Sequence, residues 1–329
     1  MSDTSLHQIA CGAIPANHPE RDALLPGNES RHTINDSLCF DFEAWVRQHH
    51  ARSERALERL LPQEGRLQRR LLEAIRYATL GGGKRLRPLL CYAAGTVTGA
   101  SADTLDVVGG ALEMIHVSSH VHDDLPPMDD DPVRRGRPSV HLQYDEATAI
   151  LVGDALLAQA FLVLTDAAVP ATCQGPLVRE LADAVGTAGL SGGQSADLCM
   201  EGRQPQMSEL REIHRMKTGV LIRASLRMGA LCGISEHGRV TDAGIFSALE
   251  RYADATGLAF QVVDDVLDAQ ADARAGKTTW ASMLGVEAAC ALAESLRAEA
   301  YEALRPLGSR GWPLQYLTGR VVDCIQGIH

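Results

Sequence analysis

The chain has 329 residues and a mass of 35.3 kDa; 45% of it is hydrophobic but only 4% aromatic, and its formal net charge is −11. Apolar content of this kind, rich in Ala and Leu and poor in aromatics, favours helices over β-sandwiches or barrels, and an acidic balance with no basic face excludes general nucleic-acid binding. The eight cysteines (Cys11, Cys39, Cys91, Cys173, Cys199, Cys232, Cys290, Cys324) contain no Cys-x-x-Cys pair, so neither a zinc site nor a disulfide framework is expected and the thiols are read as reduced.

Residues 1–36 mix Gly, Pro, Asn, Ser and His without periodicity and are expected to form a disordered N-terminal tail, leaving 37–329 as one domain. No basic start leads into an apolar run, and no segment is expected to reach the roughly 20 apolar residues of a membrane span. A cytoplasmic protein is the expectation. Amphipathic helices are predicted over 40–61, 67–80, 86–98 and, after a Ser-Ala-Asp cap signal, 103–124. Gly81-Gly82-Gly83 separates the second from the third. Further helices are predicted over 146–166, 176–189, 207–232, 240–268 and 286–304, with no run alternating strictly enough to demand a strand. The fold class that follows is all-α, a single large helical bundle around a deep central cavity.

Two acidic clusters break this apolar pattern: Asp123-Asp124-Leu125-Pro126-Pro127-Met128-Asp129-Asp130-Asp131 and Asp264-Asp265-Val266-Leu267-Asp268. Leu112, Ile115, Ser119 and Asp123 recur at helical spacing, so Asp123 stands at the cavity end of a helix that Pro126-Pro127 must terminate, and Asp129 has to return through a turn. Asp264 and Asp268 share a helical face, with Asp265 about 100° around it. A lone Asp-Asp pair is usually a solvated helix end, but Val117, Val121, Phe260, Val262 and Val263 precede these acids, so they emerge from buried helices. Carboxylates this dense facing a cavity need cations, and Mg²⁺ suits oxygen ligands. Basic residues follow each cluster, Arg134-Arg135 and Lys277, and metal with Arg and Lys equips a site to hold a diphosphate. Lys84, Arg85 and Arg87 follow the three glycines, where backbone and cations can approach a phosphate, although simple helix capping would use the same residues.

The motifs Gly82-Gly83-Lys84-Arg85-Leu86-Arg87-Pro88, His116-Val117-Ser118-Ser119, His122 through Asp131 with Arg134-Arg135-Gly136-Arg137-Pro138, Gly192-Gly193-Gln194 with Asp197, Lys217-Thr218-Gly219 and Phe260 through Asp268 resemble, in order, those of trans-isoprenyl diphosphate synthases of the bacterial and plant farnesyl/geranylgeranyl type. The resemblance runs from about residue 67 to 287. It implies that Asp123, Asp124 and Asp129 on one side and Asp264, Asp265 and Asp268 on the other bind a trio of Mg²⁺ ions, with Mn²⁺ as an alternative, and that these grip an allylic diphosphate (dimethylallyl, geranyl or farnesyl). Arg134, Lys217 and Lys277 would reach the same diphosphate, Thr218 and Gln261 would line the reacting centre, and Lys84, Arg87, His116 and Arg135 would hold isopentenyl diphosphate. A homodimer is also implied.

Product length in the resembling farnesyl synthases depends on a bulky aromatic five residues before the first Asp. Here that residue is Ser118, followed by Ser119. The open floor predicts the C20 product, geranylgeranyl diphosphate, with farnesyl diphosphate (C15) as the alternative. His120 stands where the family carries an apolar residue and narrows the same pocket. The segment 269–276 is shorter than the usual loop, so Lys277 matches either of two family lysine motifs, and the C-terminus lacks the family's basic ending. Two other readings use the same bundle. A class I terpene cyclase replaces the second Asp cluster with an Asn/Ser/Glu motif, and a non-catalytic regulatory subunit loses one cluster; this chain keeps both.

Overall fold

Several helices begin where the sequence places a side-chain oxygen ahead of an apolar run. The computed structural model describes residues 40–63, 65–200, 203, 205–236, 243–275 and 277–326, so the tail expected over 1–36 lies outside the described residues. In chain order the helices are α1 (Phe42–Leu60), α2 (Arg69–Thr79), α3 (Leu86–Thr98), α4 (Ala102–Asp123), α5 (Val140–Gln143), α6 (Glu146–Val163), α7 (Ala171–Val185), α8 (Leu190–Cys199) and α9 (Met207–His214). A π-helical turn (Arg215–Gly219) leads into α10 (Val220–Glu236), followed by α11 (Ala243–Leu267), α12 (Ala269–Ala275), α13 (Trp280–Leu284), α14 (Val286–Leu304) and α15 (Trp312–Val322). Asp41 caps α1 by accepting the Ala44 N–H at 2.9 Å, Ser101 caps α4 through the Thr104 N–H at 3.2 Å, and Asp145 caps α6 through the Thr148 N–H at 2.6 Å. Each cap satisfies a donor the first helical turn leaves open.

The architecture is the all-α bundle predicted. α3 and α10 pack along each other at its centre, α11 lies along α14, and α4 runs between α3 and α6. Both central helices have two apolar faces. Leu89, Leu90, Ile222 and Leu226 join Leu249, Tyr252, Leu296 and Leu314 in one core, while Cys91, Tyr92, Leu221 and Met228 join Leu112, Leu156 and Leu177 in another. Each fully buried Leu or Ile contributes about 1.5–3 kcal/mol.

Differences from the sequence expectations have local causes. The helix predicted from Pro176 starts at Ala171 with Pro176 inside it. The helix predicted unbroken over 207–232 contains the π-helical turn. A two-residue antiparallel hairpin, β1 (Val133–Arg134) with β2 (Arg137–Pro138), appears where no strand was expected. Its turn residues Arg135 and Gly136 have φ of 53° and 72°, as a two-residue hairpin turn requires, and strands this short leave no alternation to read. Contrary to the expectation that no segment approaches membrane-spanning length, α6 has 18 residues with only Glu146 and Asp154 charged. Thr148, Val152, Leu156 and Ala160 on its buried face pack toward α4, while Ile150, Leu151, Leu157 and Leu162 are exposed.

Arg85 stands just before α3 with φ of 52° and its side chain is 0% exposed. Its guanidinium donates to Glu54 at 2.6 Å, Glu113 at 2.7 Å and the Thr79 carbonyl at 2.7 Å, tying α1, α4 and the end of α2 together. Glu113 is itself buried. Arg85→Met strands that charge and is expected to destabilise the protein by about 3–5 kcal/mol, read as a lower urea midpoint, with Glu113→Gln in the same chain restoring part of the loss.

Candidate active site

The first acidic wall forms at the end of α4. Pro126-Pro127 stop the helix, and the chain turns so that the Asp129 N–H donates to the Asp123 carbonyl at 2.8 Å, which carries Asp129 back beside Asp123. Both line the central cavity. Asp124 does not join them. Only 2% exposed, it accepts from Arg134 Nε at 3.0 Å, and the same guanidinium reaches Asp131 at 3.0 Å. The first wall therefore presents Asp123 and Asp129 to the cavity, while Asp124 holds Arg134 in place at its edge.

The second wall comes from α11. Asp264 is 6% exposed and lines both the central cavity and an adjoining one. Asp265 is 8% exposed, and its Oδ2 accepts the Trp280 N–H at 2.7 Å. Asp268 stands one turn further on and lines the adjoining cavity. Asp272, on α12, extends the same face: its N–H donates to the Asp268 carbonyl at 2.9 Å and it lines that cavity with the exposed Lys277. Sequence reasoning missed Asp272, although its position four residues after Asp268 continues the i, i+4 ladder.

Lys217 lines both cavities from the π-helical turn, a kind of helix that recurs at functional sites. Its Nζ pairs with Asp197 of α8 at 2.7 Å. This placement depends on small residues. A Cβ on Gly193 would come within 2.5 Å of the Lys217 backbone N, and one on Gly257 within 3.2 Å of the Gly219 Cα, so α8 and α11 press directly on the turn. Thr218 and Gln261 line the cavity between the walls. Gln261 is buried and its Oε1 has no hydrogen-bond partner among the described residues, an orphaned acceptor facing space that a ligand can fill.

The opposite end is basic. Lys84, Arg87, His116 and Arg135 line the cavity there, and Arg135 donates to the Gly82 carbonyl at 2.5 Å and lies 3.7 Å from Glu113. Burial above all, with the Arg87 charge second, holds His116 well below the usual histidine value; burial and then Arg134 do the same to His120. The two neutral rings meet edge to face at 4.1 Å. The floor differs from expectation. Ser118 does not line the cavity; it is buried with its Oγ donating to the Gly153 carbonyl of α6 at 2.8 Å, because position 118 on α4 faces its neighbour helix. Ser119 and His120 do line it, with Leu190, Leu221 and Phe260.

The central cavity encloses about 1120 Å³, its open mouth included, and shares Asp129, Lys217 and Asp264 with the adjoining one. The two walls thus face connected space. Burial raises Asp123 to about 6, Asp129 and Asp124 adding to the shift while Lys217 and Arg134 oppose it. Burial likewise lifts Asp265 to about 8, against the Trp280 hydrogen bond. Asp268 is raised by burial and by Asp272. Burial works against the charge of Lys217, but Asp197, Asp123 and Asp129 outweigh it and hold the ammonium above its ordinary value. Among the described residues no group of three His, Cys, Asp or Glu side chains could hold an ion unaided. Asp123, Asp129 and Asp264 nonetheless offer carboxylate oxygens to one cavity, the donor type Mg²⁺ takes, usually from one or two carboxylates together with substrate phosphates.

Residues 68–279 match the Polyprenyl synthetase family. The chain is 49% identical over 289 residues to a protein of Sinorhizobium fredii named "Probable farnesyl diphosphate synthase", covering 84% of this chain and 86% of that one. It is 40% identical over 301 residues to "Geranylgeranyl pyrophosphate synthase 11, chloroplastic" of Arabidopsis thaliana, covering 86% and 81%. Among solved structures it resembles an apo FPP/GFPP synthase of Zymomonas mobilis with a TM-score of 0.78 at 37% identity, covering 85% of this chain and 98% of that one.

The raised carboxylates carry a testable sign. The unfolded chain releases these protons near the ordinary aspartate value of 3.8, the folded chain near 6 and 8. Between those values the fold binds more protons than the unfolded chain, so its stability falls as pH rises. Below pH 7 the buried, neutral His116, His120 and His214 act in the opposite sense, so the ligand-free melting temperature is expected to drop by a few degrees only from pH 7 to 8.5, where Asp265 titrates, at about 2–4 °C per kcal/mol. Asp265→Asn should flatten the upper part of that curve, and Mg²⁺ with pyrophosphate should raise the melting temperature most at high pH.

Proposed function

The chain belongs to the polyprenyl synthetase family, and from that premise we propose that it condenses isopentenyl diphosphate head-to-tail with an allylic diphosphate inside the central cavity. The observation that carries this reading is the convergence of Asp123, Asp129, Asp264 and Lys217 on one space whose far end is lined by Lys84, Arg87, His116 and Arg135. One end suits a metal-bound allylic diphosphate, the other a diphosphate held by cations alone. Residues 37–329 are the catalytic unit in this reading.

Asp123 and Asp129 would hold Mg²⁺ from the first wall and Asp264, Asp265 and Asp268 from the second, with Mn²⁺ as a substitute. When bound, the metal supplies charge that neutralises the leaving diphosphate. Arg134 and Lys217 add fixed positive charge, and Lys277 reaches in from the rim. The allylic C–O bond breaks with both electrons leaving on the diphosphate. The π electrons of isopentenyl diphosphate form the new C–C bond at the allylic carbon, and a C2 proton passes to a diphosphate oxygen as the new double bond closes. Gln261 offers its orphaned carbonyl oxygen to the transient positive charge, beside Thr218. Leu190, Leu221 and Phe260 keep the hydrocarbon end dry, so the cation meets the alkene before water.

For product length, farnesyl diphosphate is the better supported reading, because the relative at 49% identity carries that name. Geranylgeranyl diphosphate is a second reading, favoured by one observation: Ser119, the cavity-lining α4 residue four before Asp123, is small. Incubating purified protein with isopentenyl diphosphate and dimethylallyl, geranyl or farnesyl diphosphate, then sizing the product, separates the two. Absence of any longer prenyl diphosphate would favour a non-catalytic subunit and overturn the proposal. Asp123→Ala and Asp264→Ala are each expected to lower turnover by about 10²-fold or more at saturating Mg²⁺.

A homodimer is part of this proposal, supported by the exposed Ile150, Leu151, Leu157 and Leu162 on α6, an apolar surface of the sort that marks an interface. Sedimentation should give a dimer for the wild type, and Leu151→Arg should shift it toward monomer.

A further inference from the structure

Trp280 carries two N–H donors, and each is committed to a different part of the site. It is 3% exposed. Its backbone N–H donates to Asp265 Oδ2 at 2.7 Å, and its indole Nε1–H donates to His214 Nδ1 at 3.1 Å. His214 is the last residue of α9, followed immediately by the π-helical turn that bears Lys217 and Thr218. The backbone of Trp280 is itself pinned. It opens α13 behind a capping box in which Thr279 Oγ1 accepts from the Ser282 N–H at 3.2 Å and the Thr279 N–H donates to Ser282 Oγ at 2.9 Å.

A buried indole N–H needs an acceptor, and His214 can serve only as a neutral ring protonated on Nε2. Burial provides that state by pushing His214 down to about 4, with Asp197 opposing and Lys217 adding. The chain of contacts therefore runs from a carboxylate of the second wall, through the backbone N–H and then the rigid indole of Trp280, to the residue that enters the lysine-bearing turn, and on through Lys217 to Asp197 of α8. It joins α11, α13, α9 and α8 without touching the basic end of the cavity.

We propose that Trp280 and His214 are positioning residues, a strut that fixes the spacing between the second acidic wall and the Lys217 turn so that both grip the same diphosphate. This rests on the assignment of the second wall to the allylic diphosphate. The strut acts on that diphosphate and leaves the isopentenyl diphosphate end unaffected.

The test is calorimetric binding of inorganic pyrophosphate in the presence of Mg²⁺, beside steady-state kinetics and melting temperatures. His214→Leu is expected to weaken pyrophosphate binding about tenfold and to raise KM for the allylic diphosphate while KM for isopentenyl diphosphate stays within about twofold. His214→Asn, whose Oδ1 replaces Nδ1 as acceptor, should bind within about twofold of wild type. Trp280→Phe should match His214→Leu, and the double variant should be no weaker than either single one, as members of one unit behave. Equal binding by wild type and His214→Leu would overturn the strut. So would equal losses in His214→Leu and His214→Asn that follow their melting temperatures, because that pattern marks a merely structural role. If wild type itself shows no Mg²⁺-dependent pyrophosphate binding, the assignment of the wall fails first and the strut with it.

Discussion

Carboxylates facing a partly dry cavity resist ionisation, and the site is organised around that resistance. Asp123 and Asp265 are displaced upward chiefly by burial, which means that ionising these carboxylates carries an electrostatic cost that cations relieve. Lys217 relieves part of it permanently, and Arg134 is held ready by its pairing with Asp124 and Asp131. The remainder is left for a ligand that brings its own positive charge. In the proposed reaction such a site would bind metal and diphosphate together better than either alone, because each would remove a repulsion that penalises the other.

Separation of charge along the cavity complements that arrangement. The acidic end gathers on helix ends and a π-helical turn, while the basic end gathers on the glycine-rich entry to α3 and on the hairpin turn. His116 and His120 keep neutral rings near the basic end, so they add no charge to the Lys84, Arg87 and Arg135 set. Arg85, by contrast, is wholly engaged with Glu54 and Glu113. Of the three cations after the glycines, one therefore serves the fold and two face the cavity.

Most of the architecture was legible because amphipathic periodicity is a strong signal over long helices: the predicted spans 86–98 and 286–304 coincide with α3 and α14. What escaped was geometry that leaves the pattern of residue types unchanged. A π-helical turn uses the same residues as an α-helix, so the break at Arg215–Gly219 was invisible. α8 went unseen because Gly192-Gly193 erase its periodicity, although those glycines are what bring Lys217 into place. The facing of Ser118 was readable from its offset to Asp123, since five residues at about 100° each set it about 140° away, against α6, while Ser119 shares the cavity face; the family pattern drew attention to 118 instead. Both acidic clusters were plain from composition, but the pairing of Asp124 with Arg134, which also holds Asp131, is a tertiary fact. The bond from Trp280 to His214 spans 66 positions, and no local pattern announces it.

The two apolar faces of α3 and α10 carry a consequence for how such a chain can be divided. Since each central helix contributes to both cores, any cut that separates the cores strips one face of a helix bare and exposes a seam of Leu, Ile and Met to water. Neither fragment would be a self-sufficient folding unit. A polypeptide built on this plan is indivisible through its middle, and changes of length are tolerated at its connections and termini instead.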